Sequence, residues 1–83
     1  MNTSNYSLII VESFYHYDGT VHVRPLPGQS PYESTMFVEC SSTLKECYPV
    51  GTKFKIKAKI TNREGGTPFI YSHYSWEYTK IED

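Results

Sequence analysis

The segment Lys53-Phe54-Lys55-Ile56-Lys57-Ala58-Lys59-Ile60 alternates a basic residue with an apolar one without a break. Because successive side chains of a β-strand point to opposite faces of the sheet, this pattern predicts a strand with one buried face and one lysine face. Gly51 precedes the segment and Asn62 follows it, and both residue types are typical of turns. The segment is therefore predicted to be a half-buried strand, the fourth of five in the chain.

Four further strands are predicted from runs of β-branched and aromatic residues that are separated by turn residues. Prolines remove amide donors from residues 25–33, which are expected to form an exposed, extended loop. Thr43 and Glu46 have the spacing of a capping box, which predicts a short helix that Pro49 ends. The five predicted strands span residues 6–17, 20–24, 35–40, 53–60 and 69–81, the last with a kink near Ser75. The predicted order is three strands, a short helix and two strands.

That order is the order of the OB-fold, a five-stranded Greek-key barrel. The sequence thus predicts an all-β fold with one short helix, in the form of a small five-stranded barrel with an OB-like strand order. An SH3-like barrel is the alternative, because the helical segment is short enough to be a turn. Closure is favoured over an open sheet because it hides the strand edges. The core is predicted to include Ile10, Val38, Phe54, Ile56 and Ile60.

Length and composition limit the class of protein. Eighty-three residues are too few for two ordinary domains, so residues 1–83 are predicted to form one small domain. A formal net charge of -1 provides no overall field that would hold a polyanion. The longest apolar run, residues 8–11, is far too short to cross a bilayer, and the N-terminal residues do not resemble a secretion signal. We expect a cytoplasmic chain without membrane contact, in which Cys40 and Cys47 stay free.

No catalytic constellation is visible among the histidines and turns. The only imidazoles are His16, His22 and His73. Asp18-Gly19 is typical of a two-residue type I′ hairpin, whose pairing would project His16 and His22 from opposite faces, where they cannot share one ion. Gly65-Gly66 lies between two strands and lacks the helix dipole of a phosphate site. The sequence therefore predicts no enzyme activity, no metal site and no cofactor.

One candidate binding surface arises where the lysine face of the fourth strand meets the aromatic fifth strand. If the numbers of two paired residues in these strands add up to an odd total, Tyr74 and Trp76 lie beside the lysines. If the total is even, Tyr71 lies there instead. The solvated face of a barrel strand also carries alternating lysines without any partner. The OB-fold analogy places Arg63 near the usual ligand surface. The candidate binding residues are Lys53, Lys55, Lys57, Lys59, Arg63, Tyr74 and Trp76.

Aromatic rings beside basic groups suit two classes of partner. The sequence favours a non-catalytic small binding module with a protein partner, for example an inhibitor, immunity or accessory factor, because Tyr and Trp are favoured anchors of interfaces. The alternative is a single-stranded nucleic-acid-binding domain, in which the rings stack on bases and the lysines lie near phosphates. A third, weaker option is an enzyme subunit that needs a partner to complete its site. The oligomeric state is left open.

Overall fold

The structure, a computed structural model, describes residues 6–62, 66–73 and 77–81. Within these ranges the chain forms six strands and one short helix. The elements are β1 (Ser7–Tyr15), β2 (Val21–Pro25), β3 (Val38–Glu39), α1 (Thr43–Glu46), β4 (Lys53–Thr61), β5 (Phe69–Tyr71) and β6 (Tyr78–Ile81). The predicted succession of three strands, a short helix and further strands is confirmed.

The strands lie in the order β2-β1-β4-β5-β3, and β6 pairs with β4 as well. Neighbouring strands are antiparallel except β3 and β5, which run parallel. The sheet curls into a nearly closed small barrel with an OB-like strand order, as the sequence predicts. β2 and β3 are the two ends of this order, and they come together where the curled sheet nearly closes.

Side chains of β4 alternate between the barrel interior and the solvent. Phe54, Ile56 and Ala58 are buried, whereas Lys55 and Lys57 are exposed, which confirms the predicted orientation of this strand. The buried hydrophobic core consists of Ile9, Val11, Val23, Val38, Leu44, Phe54, Ile56, Ala58 and Ile70. This core fills the barrel from β1, β2, β3, β4, β5 and α1.

Two residues that were predicted to be core are only partly buried. Ile10 points away from the interior, because β1 turns its neighbours Ile9 and Val11 inward. The apolar run at this point has no alternation, so the pattern did not distinguish the two faces. Ile60 packs against the core but keeps partial exposure near the end of β4. The prediction was therefore wrong for Ile10 and too strong for Ile60.

The β1–β2 hairpin has a three-residue loop rather than the predicted two-residue type I′ turn. The N–H of His16 donates to the carbonyl of Thr20 at 2.7 Å, and the N–H of Gly19 donates to the carbonyl of His16 at 2.9 Å. His16, not Tyr17, therefore faces Thr20. Gly19 has a φ of +89°, as expected for the left-handed glycine that ends a three-residue hairpin loop. Because a one-residue register change exchanges the two faces, His22 lies on the same side of the hairpin as His16.

The proline-rich segment 25–33 does not extend freely into solvent. Pro25 is buried at the end of β2. The N–H of Ile10 donates to Oε1 of Gln29 at 2.7 Å, and Nε2 of Gln29 donates to the carbonyl of Ile10 at 2.8 Å. The side-chain amide of Gln29 thus makes the two hydrogen bonds to β1 that the main chain of one more β2 residue would make. The prediction of exposure is right for residues 27, 28, 30, 31 and 33, whereas the prediction of an unanchored loop is wrong at Pro25 and Gln29.

Helix α1 begins after Ser42, and the predicted capping box at Thr43 does not form. The side chain of Ser42 makes no capping hydrogen bond, and the N–H of Thr43 donates to Oγ of Ser41 at 3.2 Å instead. Leu44 is 2% exposed and belongs to the core. In the part of the chain that the structure describes, no helix has the length and hydrophobicity needed to cross a membrane.

The predicted fifth strand is divided into β5 and β6. Both pair with β4, so that Tyr71 lies opposite Lys59 and Ile81 lies opposite Lys53. The residue numbers of both pairs add up to an even total. Of the two predicted arrangements, the structure therefore has the one that puts Tyr71 on the lysine face. The expected kink near Ser75 falls outside the described residues.

Candidate functional site

The barrel is open between β2 and β3, the strands at the two ends of the sheet. These strands approach each other, but no strand pairing joins them in the described ranges. The β1–β2 ladder uses the main-chain groups of His22 and Arg24, so the N–H and C=O groups of Val21 and Val23 point away from β1. β2 therefore presents an unpaired strand edge to the gap.

A cavity of about 390 Å³ lies in the gap between β2 and β3. Its wall on the hairpin side consists of rings from Phe14, His16 and His22. Val23 and Val38, both buried, form its floor. The incomplete closure of the barrel thus produces a concave surface with rings at the side and aliphatic groups at the base.

A second cavity, of about 530 Å³, adjoins the first along residues 35–37. Phe37 is 55% exposed between the two cavities, and its ring centroid lies 6.5 Å from that of Phe69. We call the two cavities together the seam cleft, which is lined by Phe14, His16, His22, Val23, Arg24, Ser34, Thr35, Met36, Phe37, Val38, Thr67, Pro68 and Phe69. It runs from the β1–β2 hairpin to the start of β5. In OB-folds, strands two and three and the adjoining loops form the ligand surface.

The charge of the seam cleft is low. Of its lining residues in the described ranges, Arg24 is the only one of the Lys and Arg type. Nε and Nη2 of Arg24 donate to Oε2 of Glu12 at 3.1 and 3.0 Å, and the guanidinium carbon lies 4.4 Å from the centroid of the Phe14 ring. The cation is thereby neutralised by a carboxylate of β1. A cleft of this kind suits a weakly charged ligand better than a polyanion, whose affinity depends on unpaired basic groups.

The four predicted lysines all lie on the outer side of β4, away from the seam cleft. Lys55 and Lys57 are exposed, and Lys53 and Lys59 are half-buried. Nζ of Lys59 lies 5.2 Å from the centroid of the Tyr6 ring, a cation–π contact. Because β4 is the middle strand of the order, its outer face is opposite the gap between β2 and β3.

The other three predicted binding residues, Arg63, Tyr74 and Trp76, lie outside the described residues. The predicted stripe is therefore represented by the lysines and by Tyr71, which lies opposite Lys59. The structure brings these groups together on one face.

The tip of the β1–β2 hairpin carries a cluster that the sequence analysis missed. One nitrogen each of His16 and His22 and one carboxylate oxygen of Asp18 lie within 4.8 Å of one another, and the two imidazole centroids are 4.8 Å apart. The expectation that the two histidines project from opposite faces is wrong, because it rested on a two-residue loop. We call these three side chains the hairpin cluster.

The carboxylate of the hairpin cluster is held in its ionised form. Oδ1 of Asp18 accepts hydrogen bonds from Oγ1 and from the N–H of Thr20, at 2.7 and 3.0 Å. These two bonds, with a smaller contribution from His16, lower the pKa of Asp18 from 3.8 to about 2. Oγ1 of Thr20 also lies 2.8 Å from Nε2 of His22. Thr20 therefore links the carboxylate to one of the two imidazoles.

The sequence did contain a signal for the hairpin cluster. A tyrosine before Asp18-Gly19 allows a three-residue loop ending in a left-handed glycine as readily as a two-residue turn. With the longer loop, His16 and His22 fall on the same face and Asp18 lies between them.

The two cysteines offer little chemistry. Cys40 and Cys47 are free thiols, as the sequence analysis expected. Burial raises the pKa of the Cys40 thiol above its usual 9.0, which keeps it protonated at neutral pH. Cys40 packs against the core, as a small apolar side chain does.

Comparisons with known proteins add no family to these observations. No protein-family model matches the chain, and no curated protein or solved structure is significantly similar to it.

Proposed function

We propose that the protein is a non-catalytic binding module that holds an extended segment of a partner protein in the seam cleft. The observation that carries this proposal is the unpaired edge of β2 beside an aromatic cleft. An extended peptide adds to such an edge through main-chain hydrogen bonds, while its alternate side chains enter adjacent pockets. The role of a small inhibitor or accessory factor in the cytoplasm accords with this mode of binding.

The geometry provides both parts of that recognition. The N–H and C=O groups of Val21 and Val23 point away from β1 along one line, and those of Val21 are the more accessible, since Val21 is half-buried and Val23 is buried. Phe37, more than half exposed, offers an aromatic surface between the two cavities. Aromatic residues are enriched at protein interfaces because they bury much area at little entropic cost. The β2 edge would give affinity and the cavities would select side chains.

A single-stranded nucleic acid is the second candidate, because the seam cleft coincides with the surface that binds oligonucleotides in OB-folds. Phe14 and Phe37 would provide rings for base stacking. The distribution of charge disfavours this candidate: Arg24 is paired with Glu12, and the lysines of β4 lie on the opposite side of the barrel. A polyanion in the cleft would find few unpaired cations.

The test uses variants that act on the β2 edge, the cleft and the lysine face separately. Val21→Pro removes an outward N–H but no ladder bond, since this amide does not face β1. Val21→Thr keeps the amide and is the matched control. Phe37→Ala removes the exposed ring, and a Lys55→Glu and Lys57→Glu double variant reverses charge on the opposite face. Each purified variant is immobilised and exposed to a lysate of the source cells, with and without nuclease, and its fold is checked by thermal melting.

The proposal expects one protein to be retained by the parent, by Val21→Thr and by the lysine variant, and lost from Val21→Pro and Phe37→Ala. Retention should survive nuclease and moderate salt. If the lysine variant alone loses the partner, the binding surface is the outer face of β4 and the proposal is wrong. If nuclease abolishes the retention, or if affinity falls steeply with salt, the nucleic-acid candidate replaces it.

A further inference from the structure

The hairpin cluster has the composition and spacing of a metal site. Zinc bonds to imidazole nitrogen and carboxylate oxygen are about 2.0–2.2 Å long, so donor atoms of a tetrahedral site lie about 3.4 Å apart. The three donors of His16, Asp18 and His22 already lie within 4.8 Å of one another without an ion. Small rotations of side chains at a hairpin tip therefore suffice to bring all three to bonding distance.

One nitrogen of the cluster is shielded from solvent and has a weak partner. Nδ1 of His16 has almost no solvent exposure, and Oδ1 of Asp18 lies 3.3 Å away, which is longer than a usual hydrogen bond between these groups. The desolvation of this ring nitrogen is therefore poorly compensated. A cation between the imidazole and the carboxylate would interact with both groups.

The neighbours of the cluster already orient two of the three donors. Thr20 holds Asp18 through two hydrogen bonds and contacts Nε2 of His22. Such outer contacts fix ligand orientation in metal sites.

We propose that His16, Asp18 and His22 bind a divalent late transition-metal ion, with Zn²⁺ as the expected species and one coordination position left open. Two imidazoles and a carboxylate are the donors that Zn²⁺, Ni²⁺ and Cu²⁺ prefer, whereas Mg²⁺ and Ca²⁺ prefer oxygen donors. His16 and His22 also line the seam cleft. A bound ion would therefore lie at the hairpin end of the cleft and leave its open position for water or a donor of a ligand. The site stands independently of the proposed function.

The test is titration of untagged protein with Zn²⁺ by calorimetry, with Mg²⁺ as the comparison ion. The site variants are His22→Ala and Asp18→Asn, and the matched control is His73→Ala, which removes the one imidazole outside the cluster. Co²⁺ is added as a spectroscopic probe, since its visible bands report coordination by protein donors. Thermal melting without metal verifies that each variant is folded.

The proposal predicts one Zn²⁺ per chain, no competition by equimolar Mg²⁺ and visible Co²⁺ bands. His22→Ala and Asp18→Asn should each weaken Zn²⁺ binding at least about tenfold, the lower end of what even outer contacts contribute. His73→Ala should leave the affinity unchanged. Absence of Zn²⁺ binding to the parent would overturn the proposal, as would an equal loss in the His73→Ala control. If the His22→Ala variant does not fold, the Zn²⁺ affinity of the Asp18→Asn variant alone tests the proposal.

Discussion

Truncation of Phe54 to alanine tests the packing of the barrel core. Phe54 is fully buried, and its ring meets those of Tyr48 and Tyr78 edge-to-face, with centroids 5.0 and 5.7 Å away. Buried Phe→Ala changes cost about 3–5 kcal/mol. The expected loss of stability lies toward the upper end of that range, because the variant also loses two edge-to-face ring pairs, each of which contributes about 0.5–1.5 kcal/mol. A domain of this size has a free energy of unfolding of about 4–12 kcal/mol, so the variant should retain only a small part of its stability.

The measurement is urea denaturation followed by circular dichroism, together with thermal melting. At about 4–8 °C per kcal/mol for a domain of this size, the melting temperature should fall by at least about 12 °C. The matched control is Phe37→Ala, which removes the same atoms from a ring that is 55% exposed. Its effect should stay near the 0.5 kcal/mol or so that is typical of surface changes.

Equal effects of the two truncations would refute the reasoning. A Phe54→Ala protein that melts within a degree or two of the parent would mean that the apolar face of β4 does not form the core. The inward orientation of this strand, and with it the outward orientation of the lysines, would then be wrong.

Three further outcomes follow from particular contacts. Gln29→Ala should destabilise the protein by about 1–3 kcal/mol in urea denaturation, because it leaves the N–H of Ile10 without its acceptor. Gly19→Ala should cost about 1–2 kcal/mol through backbone strain at φ +89°, since no atom lies within 4 Å of the added methyl group; a neutral result would contradict the three-residue loop. NMR titration should give a pKa of about 2 for Asp18, and Thr20→Val should raise it toward 3.8. Because the folded-state pKa is depressed, the stabilisation from Asp18 should be present above pH 4 or so and be lost as the pH falls toward 2.

The sequence predicted the fold best where its pattern was regular. The alternation along β4 identified its inner and outer faces, because the period of two leaves one assignment only. The run of Ile9, Ile10 and Val11 carried no such period, and the face of β1 was therefore assigned wrongly for Ile10. Pairing with β4, which is a long-range contact, decides this orientation.

The candidate site was harder to predict than the barrel. The seam cleft depends on β3 being too short to pair with β2, and strand length at a sheet end is set by tertiary contacts. The hairpin cluster forms because the loop around Asp18-Gly19 has three residues rather than two. That single residue decides whether His16 and His22 share a face, and the sequence permitted both lengths.

The open gap between β2 and β3 is the central claim, and amide hydrogen exchange along β2 tests it most directly. The amides of His22 and Arg24 face β1 and should exchange slowly, because the ladder protects them. The amide of Val21 points away from β1, has no strand partner and belongs to a half-buried residue, so it should exchange much faster in the free protein. Fast exchange at Val21 beside slow exchange at His22 and Arg24 is the predicted result, and equal protection at these three amides would contradict an open seam.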